Sequence, residues 1–89
     1  MQQKFDMQQK VVEFRCRDAR TAATSAWEVL HGLTNRNVVA VHMSQKPVGP
    51  RNGTETKISA IIEPGKPDKS NLNELLLPLR DLIPEKFEK

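Results

Sequence analysis

Hydrophobic and polar residues alternate from Lys10 to Arg17. Val12, Phe14 and Cys16 fall on one side of an extended chain, with Glu13, Arg15 and Arg17 on the other. That period of two predicts a strand buried on one face. Asp18 follows, where its carboxylate can accept from the free amides of a helix start. The period then changes. Ala23, Ala26, Trp27, Val29 and Leu30 recur at threes and fours, predicting an amphipathic helix over Ala19–His31. Its small residues Ala19, Ala22, Ala23 and Ala26 allow close approach to a sheet. Gly32 is placed for a left-handed helix end, with His31 in the last turn.

Thr34–Asn37 reads as a turn, and Val38–Met43 as the most apolar strand of the chain. Val39, Val41 and Met43 lie on one side of it and Val38 and Ala40 on the other, which predicts a central position. Pro47, Gly49, Pro50 and the Asn52-Gly53 pair make Ser44–Thr54 a projecting loop between strands. Thr56–Glu63 resumes alternation, with Ile58, Ala60 and Ile62 opposed to Lys57, Ser59, Ile61 and Glu63. Pro64 and Pro67 end that strand, because proline brings no amide to a ladder. Asn71 with Glu74 forms a capping box. Leu72, Leu75, Leu76, Leu79 and Leu82 then make an amphipathic stripe. Pro78 interrupts it, so that the helix either kinks or divides into Asn73–Leu77 and Leu79–Ile83.

The order is therefore β-α-β-β-α, an α+β two-layer sandwich with both helices on one face of a three-stranded sheet. A crossover through Ala19–His31 predicts parallel pairing of the first two strands and antiparallel pairing of the second and third, hence a mixed sheet. The topology is related to a ferredoxin-like split βαβ unit lacking its last strand, a likeness that carries no function by itself. Residues 10–84 are expected to form the single domain. Residues 1–9 form a flexible or strand-extending segment, and 85–89 a frayed tail. Phe14, Trp27, Leu30, Val39, Val41, Ile58, Ala60, Leu75 and Leu79 are the expected core.

Composition narrows the function classes. The chain has 89 residues, enough for one modest core, and a single cysteine, which excludes an internal disulfide. No apolar run is long enough to span a bilayer, so a cytoplasmic protein is expected. Common metal and phosphate motifs are absent: HExxH, CxxC, GxGxxG and GxxxxGK[ST] do not occur. His31 and His42 have no carboxylate pair at ligand spacing, and Cys16 shares the face of Val12 and Phe14, as a small hydrophobe does. No catalytic residue, metal or cofactor is therefore assigned, and the chain is read as a non-enzyme.

Two binding readings remain. Seven large aliphatics lie between Leu72 and Ile83, more than one short helix over three strands needs, and Ile61 points away from the core set. Ile61, Leu72, Leu76, Leu77 and Ile83 are the candidate interface of a small adaptor or inhibitor that binds another protein or a second copy of itself. An open strand edge would add a second route. The alternative is a nucleic-acid-binding module. Net charge is +3, and Arg15, Arg17, Lys46, Arg51 and Lys57 would line the outer sheet face and the basic loop 44–57. The lack of outward aromatics opposes stacking on bases.

Overall fold

A computed structural model of the chain describes residues 9–51 and 53–87. The expected extension by residues 1–9 therefore lies almost wholly outside the described residues. The same is true of Asn52 in the expected turn and of the end of the 85–89 tail. Strand β1 is Lys10–Cys16, helix α1 Ala19–His31, strand β2 Arg36–Pro47, strand β3 Thr54–Pro64 and helix α2 Lys69–Leu75. Two short 3-10 turns follow, Leu77–Leu79 and Pro84–Lys86. The result is a small α+β fold, with a three-stranded antiparallel sheet and two helices.

The sheet order is β1-β3-β2, and both pairings are antiparallel. This corrects the expected mixed sheet: β1 and β2 run the same way, but β3 lies between them. The more apolar β2 was expected at the centre, whereas burial selects β3. All four of its inner residues, Thr56, Ile58, Ala60 and Ile62, are buried. A central strand is covered along both sides as well as by the helices. Among the described residues no strand pairs with the outer edge of β2, which carries Ser44, Gln45, Lys46 and Pro47 at its exposed end.

The inner face of β1 is the expected one, Val12, Phe14 and Cys16, packed against the core. On β2 a bulge between Val38 and Ala40 shifts the register. Val38 then joins Val41 and Met43 in the core, opposite Ile62, Ala60 and Ile58. Val39, expected in the core, is the unpaired bulge residue and only half-buried, because one inserted residue resets the alternation. β2 and β3 also run further than expected, to Pro47 and from Thr54, leaving a loop of residues 48–53 closed by Val48 N–H donating to the Gly53 carbonyl at 3.0 Å. Gly53 has a φ of 79° there, in the left-handed region that favours glycine.

Asp18 caps α1, its carboxylate accepting from the Thr21 hydroxyl at 2.6 Å and the Arg20 amide at 3.3 Å. The Thr21 bond first, and then the backbone amides, hold the Asp18 carboxyl below its ordinary value of 3.8. A depressed carboxyl adds stability that is present above the unfolded value and lost as pH falls through the folded one. Asp18→Asn keeps an acceptor without that titration. Thermal melts from neutral pH down to about pH 3 should therefore fall less steeply for this variant than for the wild type. Equal slopes would remove the cap as a source of acid sensitivity. Gly32 ends α1 with φ −86° and ψ −4°, so the expected left-handed end is replaced by a right-handed turn; what favours glycine there is space, since a Cβ would meet the Glu28 carbonyl oxygen at 3.3 Å.

The C-terminal third departs most from the leucine stripe. Helix α2 is capped by Asp68, which accepts from the Asn71 amide at 3.2 Å, so it starts ahead of the expected Asn71–Glu74 box. It ends at Leu75, and the chain continues as a separate 3-10 turn holding Pro78: the helix divides, but ahead of the proline, with other bounds than the expected Asn73–Leu77 and Leu79–Ile83. Division moves the buried set to Leu72, Leu76, Leu79 and Ile83, while Leu75 and Leu82 are half-buried. The segment after Pro84, expected to fray, forms a turn that seats Phe87 against Trp27 at 4.7 Å between ring centroids. Of the expected core, Leu30, Ile58, Ala60 and Leu79 are buried. Phe14, Trp27, Val41 and Leu75 pack partly buried around them.

Candidate functional site

The candidate interface residues separate once the chain is folded. Leu72, Leu76 and Ile83 are at most 4% exposed and belong to the core that joins the helices to the sheet. In this chain their apolar surface is already covered. Leu77 is different: at 48% exposed, it is one of three large hydrophobics left outside among the described residues, with Val11 at 61% and Val29 at 47%. The reason is local. The 3-10 turn around Pro78 has three residues per turn, so Leu77 leaves the line of Leu76 and Leu79 and points outward.

Leu77 forms one wall of a groove of about 400 Å³, whose other lining residues are Trp27, His31, Asn73, Glu74, Lys86 and Phe87. Trp27 and His31 come from consecutive turns of α1, Asn73 and Glu74 from α2, and Lys86 and Phe87 from the last turn. The rings hold one another: Trp27 lies 4.0 Å from His31 and meets Phe87 edge-on. His31 Nδ1 is 3.0 Å from the Trp27 carbonyl and Nε2 is 2.9 Å from Asn73 Oδ1, tying α1 to α2. Lys69 Nζ donates to the His31 carbonyl at 3.0 Å. Exposed ion pairs Arg20–Glu85 at 3.0 Å and Lys86–Glu28 at 3.6 Å fasten the last turn to α1. An aromatic floor with a polar rim is the anatomy of a site for an apolar side chain. The sequence pattern points to Leu77 but not to Trp27, His31 and Phe87 as its neighbours, since residues on separate elements share no periodic signal.

The face of the sheet away from the helices carries the other candidates. Its rungs, read across β1, β3 and β2, are Val11–Ile61–Ala40, Glu13–Ser59–His42 and Arg15–Lys57–Ser44, followed by Glu55–Lys46. Ile61 therefore lies in an apolar rung rather than alone. Arg15, Lys46 and Lys57 gather with Ser44 and Glu55 around a cleft of about 70 Å³. Glu13 lies 3.0 Å from Arg15 and 4.0 Å from Lys57, offsetting part of their charge. Arg17, at the bend after β1, and Arg51, in the loop, do not line the cleft. Cys16 is half-buried on the inner face, opposite Thr56.

Among the described residues, no group of three His, Cys, Asp or Glu side chains is placed to hold a metal ion. No helix among them is long and apolar enough to cross a membrane. Comparison of the chain with protein-family models, curated proteins and solved structures finds no match.

Proposed function

We propose that this chain is a small non-enzymatic binding protein, an adaptor or inhibitor, acting through protein–protein contacts of its C-terminal segment and an open strand edge. The observation that carries this reading is the groove beside Leu77. An exposed leucine next to Trp27, His31 and Phe87 offers a partner a pocket for one or two apolar side chains. Asn73, Glu74 and Lys86 around it can fix orientation. The strand order supports a split βαβ relation of the ferredoxin-like kind, in which a further strand would lie beside β1.

Leu77→Asp places a charge in the groove at a position the core does not use. Partner binding should fall by about thirtyfold or more, the scale of an interface hot spot, while the thermal midpoint stays near that of the wild type. The check is quantitative capture of lysate protein by the immobilised wild type and the variant, after nuclease treatment. Unchanged capture by the variant would defeat the groove as the binding surface.

A second reading, nucleic-acid binding, is favoured by one observation: Arg15, Lys46 and Lys57 do converge on the outer face. Its mark would be capture that nuclease abolishes and that weakens steeply with added salt.

A further inference from the structure

The two edges of the sheet that no described strand covers are not equivalent. β2 is interrupted by its bulge and ends in Lys46 and Pro47, devices that blunt an edge against further pairing. β1 runs regularly over seven residues with neither bulge nor proline, and among the described residues no strand pairs with its outer edge. Exposed apolar surface lies on both sides of that edge. Val11, on the open face of β1, is 61% exposed. Above the edge is a flank of α1. The other flank of the helix is taken by Trp27, Glu28 and His31 with their contacts to α2 and the last turn. The flank bearing Ser25 and the 47%-exposed Val29 consequently faces outward over β1.

We infer that the β1 edge pairs antiparallel with β1 of a second copy of this chain, with Phe14 on the two-fold axis, giving a continuous six-stranded sheet. The inference rests on the protein-contact reading and names what its strand edge takes. Charge selects the partner and the register. Around a two-fold axis, an antiparallel pair of identical strands can be centred only on a residue, because inner and outer faces must match. Centring on Glu13 or Arg15 sets like charges opposite each other, and centring on Val12 sets Lys10 against Phe14 on the inner face. Centring on Phe14 places Glu13 opposite the partner's Arg15, twice by symmetry, and Val12 opposite the partner's Cys16. It also brings the Ser25–Val29 flanks of the two α1 helices toward one another. Glu13 and Arg15 already lie together at 3.0 Å on the open face, so both charges are at the place where the exchange occurs.

Sedimentation equilibrium of the wild-type chain up to hundreds of micromolar should show a dimer. Glu13→Arg should raise its dissociation constant about tenfold or more, and the exchange Glu13→Arg with Arg15→Glu should restore it. Val12→Cys supplies an independent readout. Its thiol and that of Cys16 in the same strand are about 13 Å apart, too far to join within one chain. Oxidation should therefore give a covalent dimer only when both thiols are present, and neither the wild type nor Val12→Cys with Cys16→Ser should cross-link. A monomer at every concentration overturns the inference, and Leu77→Asp capture then judges the protein-contact reading separately. A dimer that ignores Glu13→Arg and forms no cross-link overturns the β1 register. If Leu77→Asp dissociates that same dimer, the protein-contact reading stands and the groove is the site of self-association.

Discussion

Leu79→Ala is expected to remove about 3–5 kcal/mol of stability, the range for a leucine with no room to relax around it. Leu79 is fully buried, as are Leu76 and Ile83 beside it. It also lies at the junction of the C-terminal turns, where its carbonyl accepts from the Leu82 and Ile83 amides at 3.0 and 3.2 Å. A domain of this size holds about 5–10 kcal/mol in total, so one such change takes a large fraction. Leu77→Ala, two residues earlier in the same turn, should cost less than about 1 kcal/mol because Leu77 is already half in water. Urea unfolding of the two variants beside the wild type checks both numbers. A loss below about 1 kcal/mol for Leu79→Ala would mean that the C-terminal turns do not seal the core.

Trp27→Ala should cost about 2–4 kcal/mol and loosen the end of the chain more than its middle. The indole is half-buried, which keeps the figure below that of a fully enclosed tryptophan. It contacts His31 on one side and Phe87 on the other, and the second contact seats the last turn. The ion pairs Arg20–Glu85 and Lys86–Glu28 are exposed, and each contributes at most about 1 kcal/mol. They cannot hold that turn alone. Hydrogen exchange should speed up at the Lys86 and Phe87 amides, which donate to Ile83 and Pro84 at 3.0 Å, and change little at the amides of β3. Unaltered exchange in the last turn would show that the ring cluster is not its anchor. Because Trp27 is the sole tryptophan and the chain has no tyrosine, its fluorescence also reports directly on occupancy of the groove.

The proposed binding surface was only half legible along the chain. The surplus of aliphatics between Leu72 and Ile83 pointed to the C-terminal segment. A continuous helix, however, would have put Leu75 and Leu82 on the buried line with Leu72, Leu76 and Leu79; the break after Leu75 leaves those two half-buried and brings Ile83 into the core instead. Of the candidate interface in this segment only Leu77 stays exposed, and the rings that line the groove beside it arrive from α1 and the last turn. Arg15, Lys46 and Lys57 belong to three strands; alternation alone puts Arg15 and Lys57 on one face, whereas Lys46, expected in the loop 44–57, joins them because β2 runs on to Pro47. Their convergence on one cleft required the register of β3 against both neighbours.

By itself the sequence determined where β1, α1 and β3 lie and which face of each is apolar. Val12, Phe14 and Cys16, the β3 set of Ile58, Ala60 and Ile62, and the bounds Ala19–His31 are consequences of local periodicity, which a few neighbouring residues express. Only the tertiary structure decided the order of the strands, the reset at Val38–Ala40 and the assembly of the groove. Each of these depends on which distant segment lies alongside. β3 occupies the centre because burying Thr56, Ile58, Ala60 and Ile62 between two strands and under the helices removes more surface from water than an edge position could. That comparison is between whole arrangements of the chain, and no local pattern of residues carries it.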